Sequence, residues 1–111
     1  MRVTSSLWVG AFVRRCFGAG AIATVARHGA EEAGAIFVII DWLNGGADLY
    51  GPAPQSAFDE PHPSDRRFQR LIEGRSLADI SARLEKETRF DPDLWVVAVE
   101  DRQGRTLFDT L

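Results

Sequence analysis

Two segments of this chain are apolar without alternation: Gly34-Ala35-Ile36-Phe37-Val38-Ile39-Ile40-Asp41-Trp42-Leu43 and Leu94-Trp95-Val96-Val97-Ala98-Val99. A strand with one wet face alternates polar and apolar residues. A run apolar on both faces belongs to a strand covered on both sides. Any fold open to this chain must therefore bury two such strands front and back. Its 111 residues allow one domain, 1–111, and not two that each bury a core.

The flanking segments supply turns and helices. Ser5 or Ser6 can cap a first helix running to about Phe17, with Trp8, Val9, Phe12, Val13, Cys16 and Phe17 on one face and Arg14 and Arg15 opposite. Leu7–Val13 is apolar and partly β-branched, so a strand competes there. Gly18-Ala19-Gly20 ends the element, and Ala21 to His28 reads as a short second helix stopped by Gly29. Asn44-Gly45-Gly46 is a hairpin turn, with Ala47 to Tyr50 as the return strand. Gly51 to Arg67 holds Pro52, Pro54, Pro61 and Pro63 and reads as a loop. Phe68 to Ile72 is short and extended. Ser76-Leu77-Ala78-Asp79 opens a helix to about Arg89, with Leu77, Ile80 and Leu84 inward. Asp91-Pro92-Asp93 breaks it, and after the second apolar strand Gln103-Gly104 turns the chain back along Arg105 to Leu111.

Residues 18–51 align without gaps on 76–109. Ile36–Ile40 falls on Leu94–Ala98, Gly46 on Gly104, Tyr50 on Phe108, and Ile22 on Ile80. The fold expected is α+β, with two α-β-β units forming a mostly antiparallel sheet and helices packed on it. So few helices leave apolar strand surface to hide. Burying one large apolar side chain is worth about 1.5–3 kcal/mol, and a homodimer would cover the remainder.

Composition excludes several functions. Thirteen Lys+Arg against sixteen Asp+Glu give a net charge of −3, with no basic stripe of the kind that holds nucleic acid. No apolar run reaches the length of a membrane span. Arg14-Arg15 before an apolar run resembles a twin-arginine leader, but it reads better as helix. Cys16 is the only cysteine, so the chain forms no internal disulfide; a cytoplasmic location is expected.

Candidate chemistry is sparse. Gly18-x-Gly20-x-x-Ala23 fits a loose dinucleotide fingerprint but follows a helix where a strand is required. Asp59, Glu60, His62 and Asp65 share one loop without a recognised metal spacing. Cys16 with His28, or Asp41 with Asp48, could pair for catalysis; a core thiol and a strand-end aspartate are the plainer readings. Phe37, Trp42, Tyr50, Trp95 and Phe108 read as core or interface, not as a base-stacking platform. No catalytic residue, metal site or cofactor is assigned.

Arg14-Arg15-Cys16, Glu32–Val38, Asp48-Leu49-Tyr50-Gly51-Pro52-Ala53-Pro54-Gln55, Arg66-Arg67-Phe68, Arg89-Phe90-Asp91-Pro92-Asp93-Leu94-Trp95-Val96-Val97 and Glu100-Asp101-Arg102 together resemble the alphaproteobacterial family of unknown function numbered 1491. The resemblance spans nearly the whole chain. It implies a bacterial domain with two α-β-β units and supplies no catalytic residues.

Two functions remain. One is a non-enzymatic protein-interaction module that binds a protein partner and is itself a homodimer. The other is a small-ligand or anion binder, with or without a hydrolase-like activity, with a site near the proline-rich loop built from Arg14, Arg15, Tyr50, Arg66 and Arg67.

Overall fold

A computed structural model describes residues 3–54 and 66–111. Helix α1 spans Ser5–Gly18, β1 Ile22–Arg27, β2 Ile36–Asp41, β3 Ala47–Pro52 and β4 Arg67–Arg75. Helix α2 follows at Leu77–Phe90, then β5 Trp95–Glu100 and β6 Asp109–Thr110. The strands form one sheet in the order β1-β5-β2-β3-β4-β6. The β1–β5, β2–β3 and β3–β4 pairs are antiparallel, whereas β2–β5 and β4–β6 are parallel.

The two apolar runs lie side by side near the middle of the sheet as β2 and β5, with Ile36 against Trp95 and Ile40 against Val99. Their side chains alternate between faces. Ile36, Val38, Ile40, Trp95, Val97 and Val99 face α1, which lays Val9, Phe12 and Cys16 on them. An aromatic group seals that face. Phe108 meets Phe12, Tyr50 and Phe68 edge-on at 5.6, 5.2 and 4.8 Å, and Trp8 stacks on Phe12 at 5.0 Å. Phe37, Ile39, Leu94 and Val96 face the other way, with Ala47, Leu49 and Ile80 of α2. The chain thus covers its central strands on both faces by itself, which removes unfilled strand surface as a general reason for self-association.

Thr4, not Ser5 or Ser6, caps α1; its hydroxyl accepts from the Leu7 amide. Ser5 is instead buried, donating to the Gly34 carbonyl at 2.6 Å. Gly20 adopts φ +84°, a turn that glycine makes without strain, and its amide donates to the Phe17 carbonyl as α1 ends. Ser76 caps α2 through the Asp79 amide. Ile80 is fully buried and Leu84 half-buried, but Leu77 and Phe17 are exposed, contrary to their expected places on inward faces.

Two further expectations are corrected. Residues 21–28 do not form a helix: Ile22–Arg27 is β1, paired with β5. Three of those six residues, Ile22, Thr24 and Val25, are β-branched and suit a pleated surface, and Ala21 and Ala23 are small enough to lie beneath α1. The turn at Gln103-Gly104 forms, with the Gly104 amide donating to the Asp101 carbonyl, but it does not start a hairpin. The chain crosses the sheet, Phe108 plugs the aromatic group, and β6 pairs with β4 on the far edge. The alignment of 18–51 on 76–109 therefore sets a strand on a helix, and two α-β-β units are not found. The α+β class and the predominance of antiparallel pairs hold.

Candidate functional site

The residues expected around an anion site are spread over the fold. Arg15 donates to the Leu107 carbonyl at 2.8 Å, tying α1 to the C-terminal segment. Arg66 donates to the Val3 carbonyl at 3.1 Å and to Ser5 Oγ at 3.2 Å, holding the start of α1. Tyr50 is buried with its ring against Phe108. Arg14 is exposed on α1 and Arg67 at the start of β4. Arg15, Tyr50 and Arg66 thus brace three different junctions. The loop acids and His62 lie outside the described residues, as does most of the proline-rich loop. Among the described residues, no three His, Cys, Asp or Glu side chains are placed to hold a metal ion.

The catalytic pairings do not form. Strand register sets Asp48 beside Ile40 and Asp41 beside Ala47, so the two carboxylates point to opposite faces of the sheet. Asp48 is buried and accepts from the Gly74 amide at 2.8 Å and Trp42 Nε1 at 3.2 Å. Asp41 accepts from the Leu43 amide as its strand ends. Cys16 lies in the core, where burial raises its pKa, the opposite of what a nucleophile needs. His28 is exposed, its ring 4.2 Å from that of Trp95.

What the fold leaves open, among the described residues, is the edge of β1 with the corner beside it and part of the edge of β4. The sheet ends at β1 on one side and at β4 with β6 on the other. β6 covers only Arg67 and Phe68, so among the described residues the rest of β4 also has an outer edge without a strand partner. The two edges differ in chemistry. β4 carries Arg67, Arg70, Glu73 and Arg75, and charges of this kind protect an edge from pairing with other chains. β1 reads Ile22-Ala23-Thr24-Val25-Ala26-Arg27 and has no charge before its last residue. Its one irregularity, a register shift between Val25 and Arg27, falls at the same end.

The β1 strand is exposed on its side chains as well. Ile22 is 53% and Val25 39% accessible. Ala23 pairs with Val99 and shares its face under α1, so Ile22 and Thr24 point to the α2 face. Helix α2 packs mainly on β3 and β4. Toward β1 its cover thins, leaving Ala98 half-buried and Thr24 and Ala26 exposed above a trough. Reading 21–28 as a helix concealed this edge. The signal that could have revealed it was the β-branched content of Ile22, Thr24 and Val25 together with the absence of charge.

Comparison with known proteins bears on the whole chain. The profile of the family described as "Protein of unknown function (DUF1491)" matches residues 3–109. The solution structure of protein Atu0922 from A. tumefaciens is similar at 48% identity and TM-score 0.80, over 91% of this chain and 87% of that one. The crystal structure of a DUF1491 family protein from Caulobacter crescentus CB15 is similar at 34% identity and TM-score 0.81, over 98% and 99% of the two chains. The NMR structure of a DUF1491 family protein from the same organism has 34% identity and TM-score 0.79, over 100% and 98%. No curated protein matches.

Proposed function

This chain belongs to the DUF1491 family, and from that premise we propose that it is a protein-interaction module that pairs through the open edge of β1, its partner being a second copy of itself. The observation that carries this reading is the contrast between the two edges: β4 is lined with charge, and β1 presents an uncharged run with Ile22 and Val25 exposed. Strand addition draws its affinity from backbone hydrogen bonds along an unpaired edge and its specificity from the side chains flanking them.

Self-pairing has geometric support. An antiparallel two-fold centred on Thr24 would keep α1 on one side and α2 on the other of a continuous sheet. It would set Ile22 opposite Ala26, Ala23 opposite Val25 and Thr24 opposite its own copy. Large residues then face small ones, and threonine pairs with threonine, a favourable cross-strand combination. Such an interface is isologous and closes at two copies, whereas β1 against the edge of β4 would be heterologous and run on into a ring or a filament. The two copies of Arg27 would lie at opposite ends of the ladder.

Thr24 is exposed, so Thr24→Lys leaves the monomer intact while setting two like charges face to face at the two-fold. Light scattering at micromolar concentration is expected to give a dimer mass for the unaltered protein and a monomer mass for Thr24→Lys, with Arg70→Glu on the other edge still dimeric. A monomer in the unaltered protein, or a dimer indifferent to Thr24→Lys, would overturn the reading.

A further inference from the structure

Between α2 and the β1 side of the sheet lies a trough of about 520 Å³, within the range of small-ligand sites. Ala26, Ile39, Val96 and Leu84 give it an apolar floor and wall, while Arg27, Glu85, Thr88 and Arg89 supply its polar groups. Two guanidiniums against one carboxylate leave that polar rim net positive.

The donors there are incompletely used. Arg27 spends one terminal nitrogen on the Pro92 carbonyl at 2.7 Å. Its Nε is buried and makes no hydrogen bond among the described residues. Buried polar groups are almost always satisfied; this N–H is closed off from solvent, so a ligand in the trough meets Arg27 at its terminal nitrogens and reaches Nε only if the side chain shifts. Arg89 lies on the same rim and makes no ion pair among the described residues. Guanidinium groups bind a carboxylate through paired, charge-assisted N–H···O bonds.

We propose that this trough binds a small amphipathic carboxylate, its apolar tail on Ala26, Ile39, Leu84 and Val96 and its head on Arg27 and Arg89. Thr88 contributes little to the head, because its hydroxyl already donates to the Leu84 carbonyl at 2.8 Å. Glu85 repels a carboxylate and attracts an amine, but its single charge is outnumbered by the two guanidiniums. The site uses side chains on the α2 face of β1 and leaves the backbone edge of that strand free, so it does not depend on self-pairing.

Octanoate, 1-octanol and octylamine share one tail and differ in the head, which makes them direct probes. Titrated into the ¹⁵N-labelled protein at neutral pH, octanoate is expected to shift the amide signals of Ala26, Ile39, Thr88 and Val96 along one saturating curve. Octanol and octylamine bind about tenfold more weakly, the loss expected when a charge-assisted pair is missing. Arg89→Gln, at an exposed position, weakens octanoate roughly fivefold, and Arg75→Gln, on the guarded edge of the sheet, leaves it unchanged. Arg27→Gln weakens it at least as much, and Arg89→Gln decides the matter should Arg27→Gln fold poorly. Absence of saturable shifts at these residues with millimolar octanoate would overturn the proposal, as would equal binding of octanol or full affinity in Arg89→Gln. The dimer mass of Arg89→Gln stays that of the unaltered protein, so failure here and failure of the β1 interface are told apart.

Discussion

Asp101 is buried beside the last turn and organises it alone. Its carboxylate accepts from the Gln103 amide at 3.2 Å, the Arg105 amide at 3.0 Å and Arg105 Nε at 2.9 Å, while Arg105 also donates to the Ala19 carbonyl at 2.8 Å. The Arg105 hydrogen bond holds the Asp101 pKa below the ordinary aspartate value. A carboxyl group whose pKa is lowered by folding stabilises the fold above its unfolded value of about 4, and that contribution disappears as the pH falls through the lower folded value. Melting curves taken from neutral pH downward are therefore expected to separate the unaltered protein from Asp101→Asn at neutral pH, with the gap narrowing as the pH falls below the ordinary aspartate value; a gap of unchanged size in acid would contradict this role. Asp48 makes a comparable prediction without titration. Asp48→Ala strips acceptors from the Gly74 amide and the Trp42 indole, at a cost of about 1–3 kcal/mol, readable in denaturant unfolding followed by Trp fluorescence. Gly104 has φ +61°, and a Cβ there would strike the Trp42 ring, so Gly104→Ala is expected to destabilise through both backbone and contact. Little of this was legible in the sequence. The sequence places Asp48 in the return strand across from Asp41 and gives Asp101 no partner, and only the folded chain brings Gly74 and Trp42 to the one and Arg105 to the other.

The elements divide by the kind of signal that specifies them. β2 and β5 were legible because Ile36–Ile40 and Leu94–Val99 are apolar on both faces, a pattern that few other structures accommodate. α2 was legible from Ser76 at its cap and Asp91-Pro92 at its end; its cap predicts that Ser76→Ala costs about 1 kcal/mol by chemical denaturation. β1 was not legible. Ile22-Ala23-Thr24-Val25-Ala26-Arg27 has alanines enough for a helix and β-branched residues enough for a strand. Pairing with β5, which comes some seventy residues later, decides between them. The same long-range pairing explains β6: Arg105 to Leu111 folds to the edge of β4 because Phe108 fills the space between Phe12, Tyr50 and Phe68. An Ile22→Lys substitution tests β1 as an element. Ile22 is half-exposed, so the melting temperature of the monomer should change little while dimer formation falls; a collapse of the fold would show that Ile22 belongs to the core.

For the whole molecule, the demand that two strands be covered front and back is met inside the chain: α1 and the aromatic group close one face, and α2 closes the other over β3 and β4. The open region is narrower than the sequence suggested and lies in a different place. Among the described residues its least charged part is the edge of β1 and the corner around Ile22, Thr24 and Ala98, not the middle of the sheet. A sequence states how much apolar surface must be hidden, and it leaves unsaid which helix hides which part. The residues proposed for an anion site were gathered by their chemistry, and in the fold Arg15 bonds the Leu107 carbonyl, Tyr50 packs on Phe108 and Arg66 bonds Val3 and Ser5. Amide hydrogen exchange at two protein concentrations tests the central claim most directly, since pairing through β1 must protect its outward amides in proportion to dimer formed. The outward-pointing amides, every second one along Ile22–Ala26, are expected to exchange quickly in dilute solution and to gain protection at high concentration, while those bonded to β5 stay protected throughout and the open edge of β4 does not change. Unchanged exchange across β1 at concentrations where the protein is a dimer, or protection appearing on β4 instead, would contradict the account.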